Sequence, residues 1–211
     1  RMKTGQIIER SEAGNAILSL LQRESFANIL EIGTWNGLGS TLVFIKGLQE
    51  CTSYKSFYSI ECNEDKTILA KSNLMPYLSR LDNMETKINI LWGSILHKEM
   101  ITLENIYNHF PEVENDSELK RWHTIDYENI CRSPNILDKL PIDFDIVLFD
   151  GGEFTTIFEF NILLPRCKKY ILLDDCNVLK CSKIRKILQG IKKENGHENG
   201  HENGHENGHE N

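Results

Sequence analysis

The sequence lacks the features of membrane and secreted proteins. It contains no apolar run of about 18 residues, so we expect no membrane-spanning helix. Residues 1–5 do not form the apolar stretch of a secretory signal. No two cysteines form a C-x-x-C pair, which favours reduced thiols in a cytoplasmic protein over a disulfide framework or a zinc site. The cysteines are Cys51, Cys62, Cys131, Cys167, Cys176 and Cys181.

An excess of basic residues is also missing. The net charge of the chain is -7. Five of the 31 acidic residues lie in residues 194–211, which contain no Lys or Arg, so the rest of the chain carries a net charge of -2. General nucleic-acid binders usually have a basic surface, and we therefore do not expect nucleic acid as a partner.

The C-terminal residues repeat one short unit. From Glu194 the unit Glu-Asn-Gly-His occurs four times, and a fifth copy begins at Glu210. A helix would align the histidines of the repeat on one face, but each glycine costs about 1 kcal/mol in a helix. We therefore predict that residues 194–211 are disordered and that residues 1–193 form one domain.

Short apolar runs alternate with segments of helical periodicity along the domain. Apolar runs of this kind are typical of parallel strands that are covered on both faces, so the predicted fold class is α/β, with a doubly wound, Rossmann-like and mostly parallel sheet. Residues 93–144 are too long for a structureless connection, and we predict a helical insertion there between the third and fourth strands. The predicted strands are 28–32, 57–60, 87–92, 145–149 and 170–173, and the main predicted helices are 4–24, 40–49, 64–79, 155–165 and 179–192.

A glycine-rich turn follows the first predicted strand. The segment from Glu31 to Gly39 has the pattern E-x-G-x-x-x-G-x-G, and it does not match the dinucleotide fingerprint G-x-G-x-x-G. A carboxylate at Glu31 suits a cofactor with a cationic amino group, whereas it would repel a pyrophosphate. The N-terminus of the next helix suits a carboxylate group of the ligand. Glu61 ends the second strand, where a carboxylate can accept hydrogen bonds from ribose hydroxyls.

These residues resemble the first motif of the class I S-adenosylmethionine (SAM) dependent methyltransferases, and of small-molecule O-methyltransferases in particular. The resemblance implies that Glu61 binds ribose, that Ser94 lies near adenine and that Asp150 lies near the sulfonium and the acceptor. The alternatives are a tight turn for the glycines, a solvated strand end for Glu61 and a helix cap for Ser94. The predicted cofactor-binding residues are Glu31, Gly33, Thr34, Gly37, Ser40, Glu61, Ser94 and Asp150.

Acidic residues also end the fourth and fifth predicted strands. Asp150, Asp174 and Asp175 would lie close together on adjacent parallel strands, and a hard cation such as Mg²⁺ is a natural partner for them. Enzymes similar to catechol O-methyltransferase place an Asp and an Asp-Asn pair around such an ion, but Cys176 stands at the position of that Asn. We predict Asp150 and Asp175 as catalytic residues and all three aspartates as metal ligands. The alternative is a protonated or solvent-screened acidic rim.

The predicted function is SAM-dependent methyl transfer to a small-molecule acceptor, with oxygen as the receiving atom. A non-catalytic SAM-binding or scaffold domain of the same fold is the alternative, and an NAD-dependent oxidoreductase is a third hypothesis that absence of NADH binding would exclude. The resemblance implies a seven-stranded sheet in complete members of the superfamily, whereas five strands are predicted here. The last two strands are therefore expected to be absent, and the exposed sheet edge predicts a homodimer, which a monomeric mass in light scattering would contradict.

Overall fold

A computed structural model of the chain describes residues 7–50, 54–79 and 87–198. Within these ranges, five strands form one parallel sheet in the order β3-β2-β1-β4-β5, which confirms the predicted fold class. The strands are β1 (Phe26–Ile32), β2 (Tyr54–Glu61), β3 (Ile88–Trp92), β4 (Phe144–Phe149) and β5 (Cys167–Leu173). The helices are α1 (Glu12–Arg23), α2 (Ser40–Gln49), α3 (Glu64–Leu78), α4 (Leu103–His109), α5 (Ser117–Arg132), α6 (Thr156–Leu163) and α7 (Leu179–Glu198).

Helices cover both faces of the sheet, and successive side chains of each strand point to opposite faces. Ile29 of β1 packs in a cluster with side chains of α1, α2 and α3. Its neighbour Leu30 packs in a second cluster with side chains of α4 to α7. The strand order reverses between β1 and β4, and ligands of such sheets bind beyond the carboxyl ends of the strands at this point.

The predicted start of the first helix is wrong. We expected a helix over residues 4–24, but α1 begins at Glu12, and residues 4–6 lie outside the described ranges. The Ser11 side chain accepts a hydrogen bond from the Gly14 N–H at 3.0 Å and so caps the helix. The chain turns directly before this cap, since a Cβ atom on Gly14 would lie 2.0 Å from the carbonyl oxygen of Ile8.

Residues 93–144 contain α4, α5 and three short turns of 3₁₀-helix. This segment has its own buried side chains, including Ile106, Phe110 and Val113, and they belong to the cluster that covers one face of the sheet. It therefore completes the core on that face and places α5 beside the carboxyl ends of the central strands.

The C-terminal helix enters the repeat. Helix α7 continues to Glu198, so the predicted boundary of disorder at 194 lies inside a helix, and the repeat units after 198 lie outside the described ranges. No helix in the described part of the chain is long and apolar enough to cross a membrane. β5 forms one edge of the sheet, and the homodimer expected from this edge remains a prediction.

Candidate functional site

A cavity of about 410 Å³ opens at the carboxyl ends of the central strands. This size falls within the usual range of small-molecule sites. Residues that follow all five strands line it, together with residues of α5 and α6. Its walls include Gly33, Trp35, Glu61, Ser94, Asp126, Asp150 and Glu159.

The turn after β1 requires glycine at its first position. Gly33 has a φ of 99°, and a Cβ atom there would lie 2.0 Å from the carbonyl oxygen of Asp150. The Gly33 N–H donates to the carbonyl oxygen of Ile60 at 2.8 Å. The absence of a side chain thus lets the turn approach the ends of both β2 and β4.

The Glu61 carboxylate is fixed by two backbone N–H groups. The Trp35 N–H donates to Oε2 at 2.8 Å, and the Asn63 N–H donates to Oε1 at 2.9 Å. Burial raises the pKa of Glu61, although these two hydrogen bonds oppose the rise. Since a carboxylate can accept about four hydrogen bonds, both oxygens keep acceptor capacity for ligand hydroxyl groups.

Glu31 does not line the cavity, contrary to the position expected from the sequence. Its side chain is fully buried, and the hydroxyl groups of Thr41 and Ser59 donate to it. Burial raises the pKa of Glu31, and the hydroxyl groups oppose this rise. Strand alternation explains the difference: Ile32 faces the cavity, so Glu31 faces the opposite side and ties β1 to β2 and α2.

Three other predicted residues lie behind the turn. Thr34 is buried and hydrogen-bonds to Ser59 at 2.6 Å. Gly37, with a φ of 78°, packs against the Leu74 side chain of α3, and Ser40 is buried at the start of α2. The cavity therefore brings together four of the eight predicted cofactor-binding residues. These four are Gly33, Glu61, Ser94 and Asp150.

Ser94 lies where β3 enters the long helical connection. Its Oγ accepts a hydrogen bond from the Leu96 N–H at 2.9 Å, and its own N–H donates to the carbonyl oxygen of Pro134 at 2.9 Å. The residue thus caps a local turn and lines the cavity at the same time.

The three aspartates after β4 and β5 do converge. Carboxylate oxygens of Asp150, Asp174 and Asp175 lie within 4.8 Å of one another. The ammonium group of Lys180, a residue that we did not predict, lies 2.8 Å from Asp150 Oδ1 and 3.3 Å from Asp175 Oδ2. Burial raises the pKa of Asp150 to about 8 although Lys180 opposes the rise, and the carboxylates raise the pKa of Lys180 against the effect of burial.

The predicted Mg²⁺ fits this arrangement poorly. Mg²⁺ prefers a shell of oxygen ligands, and a nearby positive charge repels it. Here an ammonium group already contacts two of the three carboxylates that would form the shell.

Two further cavity residues were missed by the sequence analysis. Asp126 of α5 faces Gly152 and accepts a hydrogen bond from the Phe154 N–H at 3.2 Å, and burial raises its pKa to about 6. Glu159 of α6 lies behind Gly151, and burial raises its pKa to about 8. Its Oε2 has no hydrogen-bond partner among the described residues.

The sequence contained a signal for Glu159 and Lys180 but not for Asp126. Glu159 interrupts the apolar run from Ile157 to Phe160, and Lys180 stands between Leu179 and Cys181. A charged residue inside an apolar run indicates a buried, partnered side chain. Asp126 lies in a polar helix, where only the folded position of α5 reveals its role.

Comparisons with known proteins agree with this architecture. No protein-family model matches the sequence, and no curated protein matches it. The chain is similar in structure to an O-methyltransferase from Bacillus cereus in complex with SAH, with a TM-score of 0.50, 19% identity, and coverage of 85% of this chain and 68% of that one. It is also similar to the O-methyltransferase TomG from Streptomyces achromogenes in complex with SAM, with a TM-score of 0.50, 14% identity, and coverage of 85% and 67%. This likeness shows that the chain has the fold of SAM-dependent methyltransferases, as the glycine-rich motif predicted.

Proposed function

We propose that this protein transfers a methyl group from SAM to an oxygen atom of a small molecule. The observation that carries the proposal is the position of Glu61, whose two carboxylate oxygens are fixed at the cavity wall by backbone N–H groups. The methyltransferase fold and a cavity of suitable volume support it.

The cavity residues suit different parts of the cofactor. Glu61 would accept hydrogen bonds from the ribose hydroxyls, and Gly33 would allow the backbone to approach the ligand closely. Ser94 would lie on the adenine side, and Asp150 would lie on the side of the reacting methyl group. The fit is supported by the side chain that Gly33 lacks and by the acceptor capacity of Glu61.

SAM supplies a methyl group bound to a positively charged sulfur. The described residues contribute mainly orientation and electrostatics, because methyl transfer needs little other machinery. Asp126, whose pKa of about 6 leaves it ionised at neutral pH, lines the cavity, and an ionised carboxylate favours a cationic ligand. A carboxylate whose pKa lies near neutrality, such as Asp150, can also accept the proton of a hydroxyl acceptor.

The oxygen acceptor rests on two of the structural neighbours, which are named O-methyltransferases. Carboxylates can accept hydrogen bonds from hydroxyl groups, which is consistent with this choice. Transfer of labelled methyl groups to amines, but not to compounds with hydroxyl groups, would contradict the oxygen part of the proposal.

Calorimetric titration of SAM tests the central claim. We expect wild type to bind in the micromolar range, about -8 kcal/mol. Glu61→Ala should weaken binding about 100-fold, because hydrogen bonds to a charged group contribute about 1.5–3 kcal/mol each. Glu64→Ala is the matched control, since Glu64 is exposed at the start of α3 and should leave the affinity unchanged.

The controls separate cofactor loss from misfolding. Circular dichroism should show that both variants keep the fold of wild type. If wild type takes up no SAM, the alternative of a scaffold domain replaces the proposal. Equal affinity of wild type and Glu61→Ala for SAM would show that Glu61 does not contribute to binding.

A further inference from the structure

Lys180 is nearly completely buried within an acidic cluster. Its side chain is 7% exposed, and it contacts the carboxylates of Asp150 and Asp175, while Asp174 lies within the same group of carboxylates. We call these four residues the lysine–carboxylate cluster. It lies at the carboxyl ends of β4 and β5, and all three of its aspartates reach the edge of the cavity.

Each charge in the cluster depends on the others. A buried ammonium group is strongly destabilising unless carboxylates surround it. Carboxylates that lie close together repel one another unless a cation or a proton intervenes. The Lys180 ammonium group, at 2.8 and 3.3 Å from two of these carboxylates, satisfies both requirements at once.

The backbone holds Lys180 in this position. Its own N–H donates to Glu153 Oε1 at 3.1 Å, and Cys181 and Ile184, on the same helix, are completely buried. The start of α7 is therefore anchored to the core on one side and to the loop after β4 on the other. The lysine enters the cluster from a fixed helix and not from a surface loop.

We propose that Lys180 is a built-in cation that takes the place of a divalent metal ion at this site. The ammonium group lies between the oxygens of Asp150 and Asp175 that would have to bind the metal. A divalent ion bridging these oxygens would lie within a few ångströms of a positive charge, and that repulsion disfavours binding. The protein therefore binds no Mg²⁺ or Mn²⁺ in this cluster. This inference does not depend on methyl transfer.

Titration with Mn²⁺, followed by electron paramagnetic resonance of the free ion, tests the proposal. We expect wild type to leave the signal of free Mn²⁺ unchanged. Lys180→Met removes the ammonium group and its repulsion of the ion while keeping much of the apolar stem, so it should bind Mn²⁺ at least about 10-fold more tightly than wild type. Lys186→Met is the matched control, because Lys186 is exposed on the same helix and its loss changes the net charge equally.

A second substitution locates the new site. Asp150→Asn combined with Lys180→Met should lose the gained Mn²⁺ affinity. Mn²⁺ binding by wild type as tight as that of Lys180→Met would overturn the proposal, and so would a folded Lys180→Met that gains no affinity. Lys180→Gln serves as the second variant if Lys180→Met does not fold. In either case, Mn²⁺ binding by wild type that Asp150→Asn removes would overturn the proposal.

Discussion

Two acidic strand ends border the same cavity, and they are held in different ways. Glu61, after β2, is fixed by the N–H groups of Trp35 and Asn63. Asp150, after β4, is fixed by the ammonium group of Lys180. The first arrangement uses neutral donors and leaves the carboxylate able to bind ligand hydroxyls. The second pairs the carboxyl group with a cation from the protein itself, so no metal ion is required to balance the charge of the cluster.

The two ends also differ in how far their partners lie along the chain. Asn63 is two residues from Glu61, and Trp35 lies in the glycine-rich turn of the adjacent strand. Lys180 is separated from Asp150 by a helix, a strand and a loop. A local motif can therefore predict the first site, whereas the second depends on where α7 packs in the folded protein.

Gly33→Ala should have the largest effect, because this residue joins the two ends. The new Cβ atom would lie 2.0 Å from the backbone carbonyl of Asp150, at a φ that disfavours side chains. We expect a loss of about 4 kcal/mol or more in the free energy of unfolding, the extreme range for one substitution. Urea denaturation measures it.

Gly190→Ala is the control for this glycine. Nothing lies within 4 Å of a Cβ atom at Gly190 in α7, so this change should stabilise the protein by up to about 1 kcal/mol. Losses of similar size for the two variants would show that the approach of Gly33 to Asp150 has no special importance.

The two lysines near the strand ends should contribute unequally. Lys180→Met leaves a group of close carboxylates without their cation, and we expect a loss of about 3 kcal/mol in stability at neutral pH. Lys66 lies 5.4 Å from the centre of the Trp35 ring, so Lys66→Met should cost at most about 1 kcal/mol. Denaturation of both variants at one pH compares them directly, and equal losses would contradict the distinction between the two ends.

The sequence predicted the elements that depend on local pattern. The parallel sheet, the exact range of α2 and the convergence of Asp150, Asp174 and Asp175 follow from apolar runs and strand ends. The start of α1 was wrong because the Ser11 cap competes with a helical periodicity that continues upstream. The burial of Glu31 away from the cavity was not predicted, because a strand end alone does not fix which face its last side chains occupy, and its role in cofactor binding remains a prediction.

Long-range packing explains the remaining differences. Asp126 reaches the cavity only because α5 packs beside Gly152, in the loop between β4 and α6. Lys180 reaches its partners only because α7 returns to the ends of β4 and β5. The position of neither residue could be predicted from its spacing along the chain.

Glu159 is a third acidic residue of the same cavity. Its substitution should change the stability at neutral pH less than the substitutions above. Its Oε2 has no hydrogen-bond partner among the described residues, and burial raises its pKa from 4.5 to about 8. Because the folded protein holds this proton more tightly than the unfolded chain, stability should fall as the pH rises from about 4.5 to 8. Glu159→Gln should reduce this fall and raise the melting temperature at pH 9 by about 4–8 °C, equivalent to about 2 kcal/mol. The full effect of the pKa change is not expected, since the new amide also needs a hydrogen-bond partner.

Thermal denaturation between pH 5 and 9 measures the difference, with Glu112→Gln at an exposed position as the control. A difference between Glu159→Gln and wild type that stays constant over this range would show that Glu159 is ionised throughout, held as firmly as a carboxylate with a permanent cation.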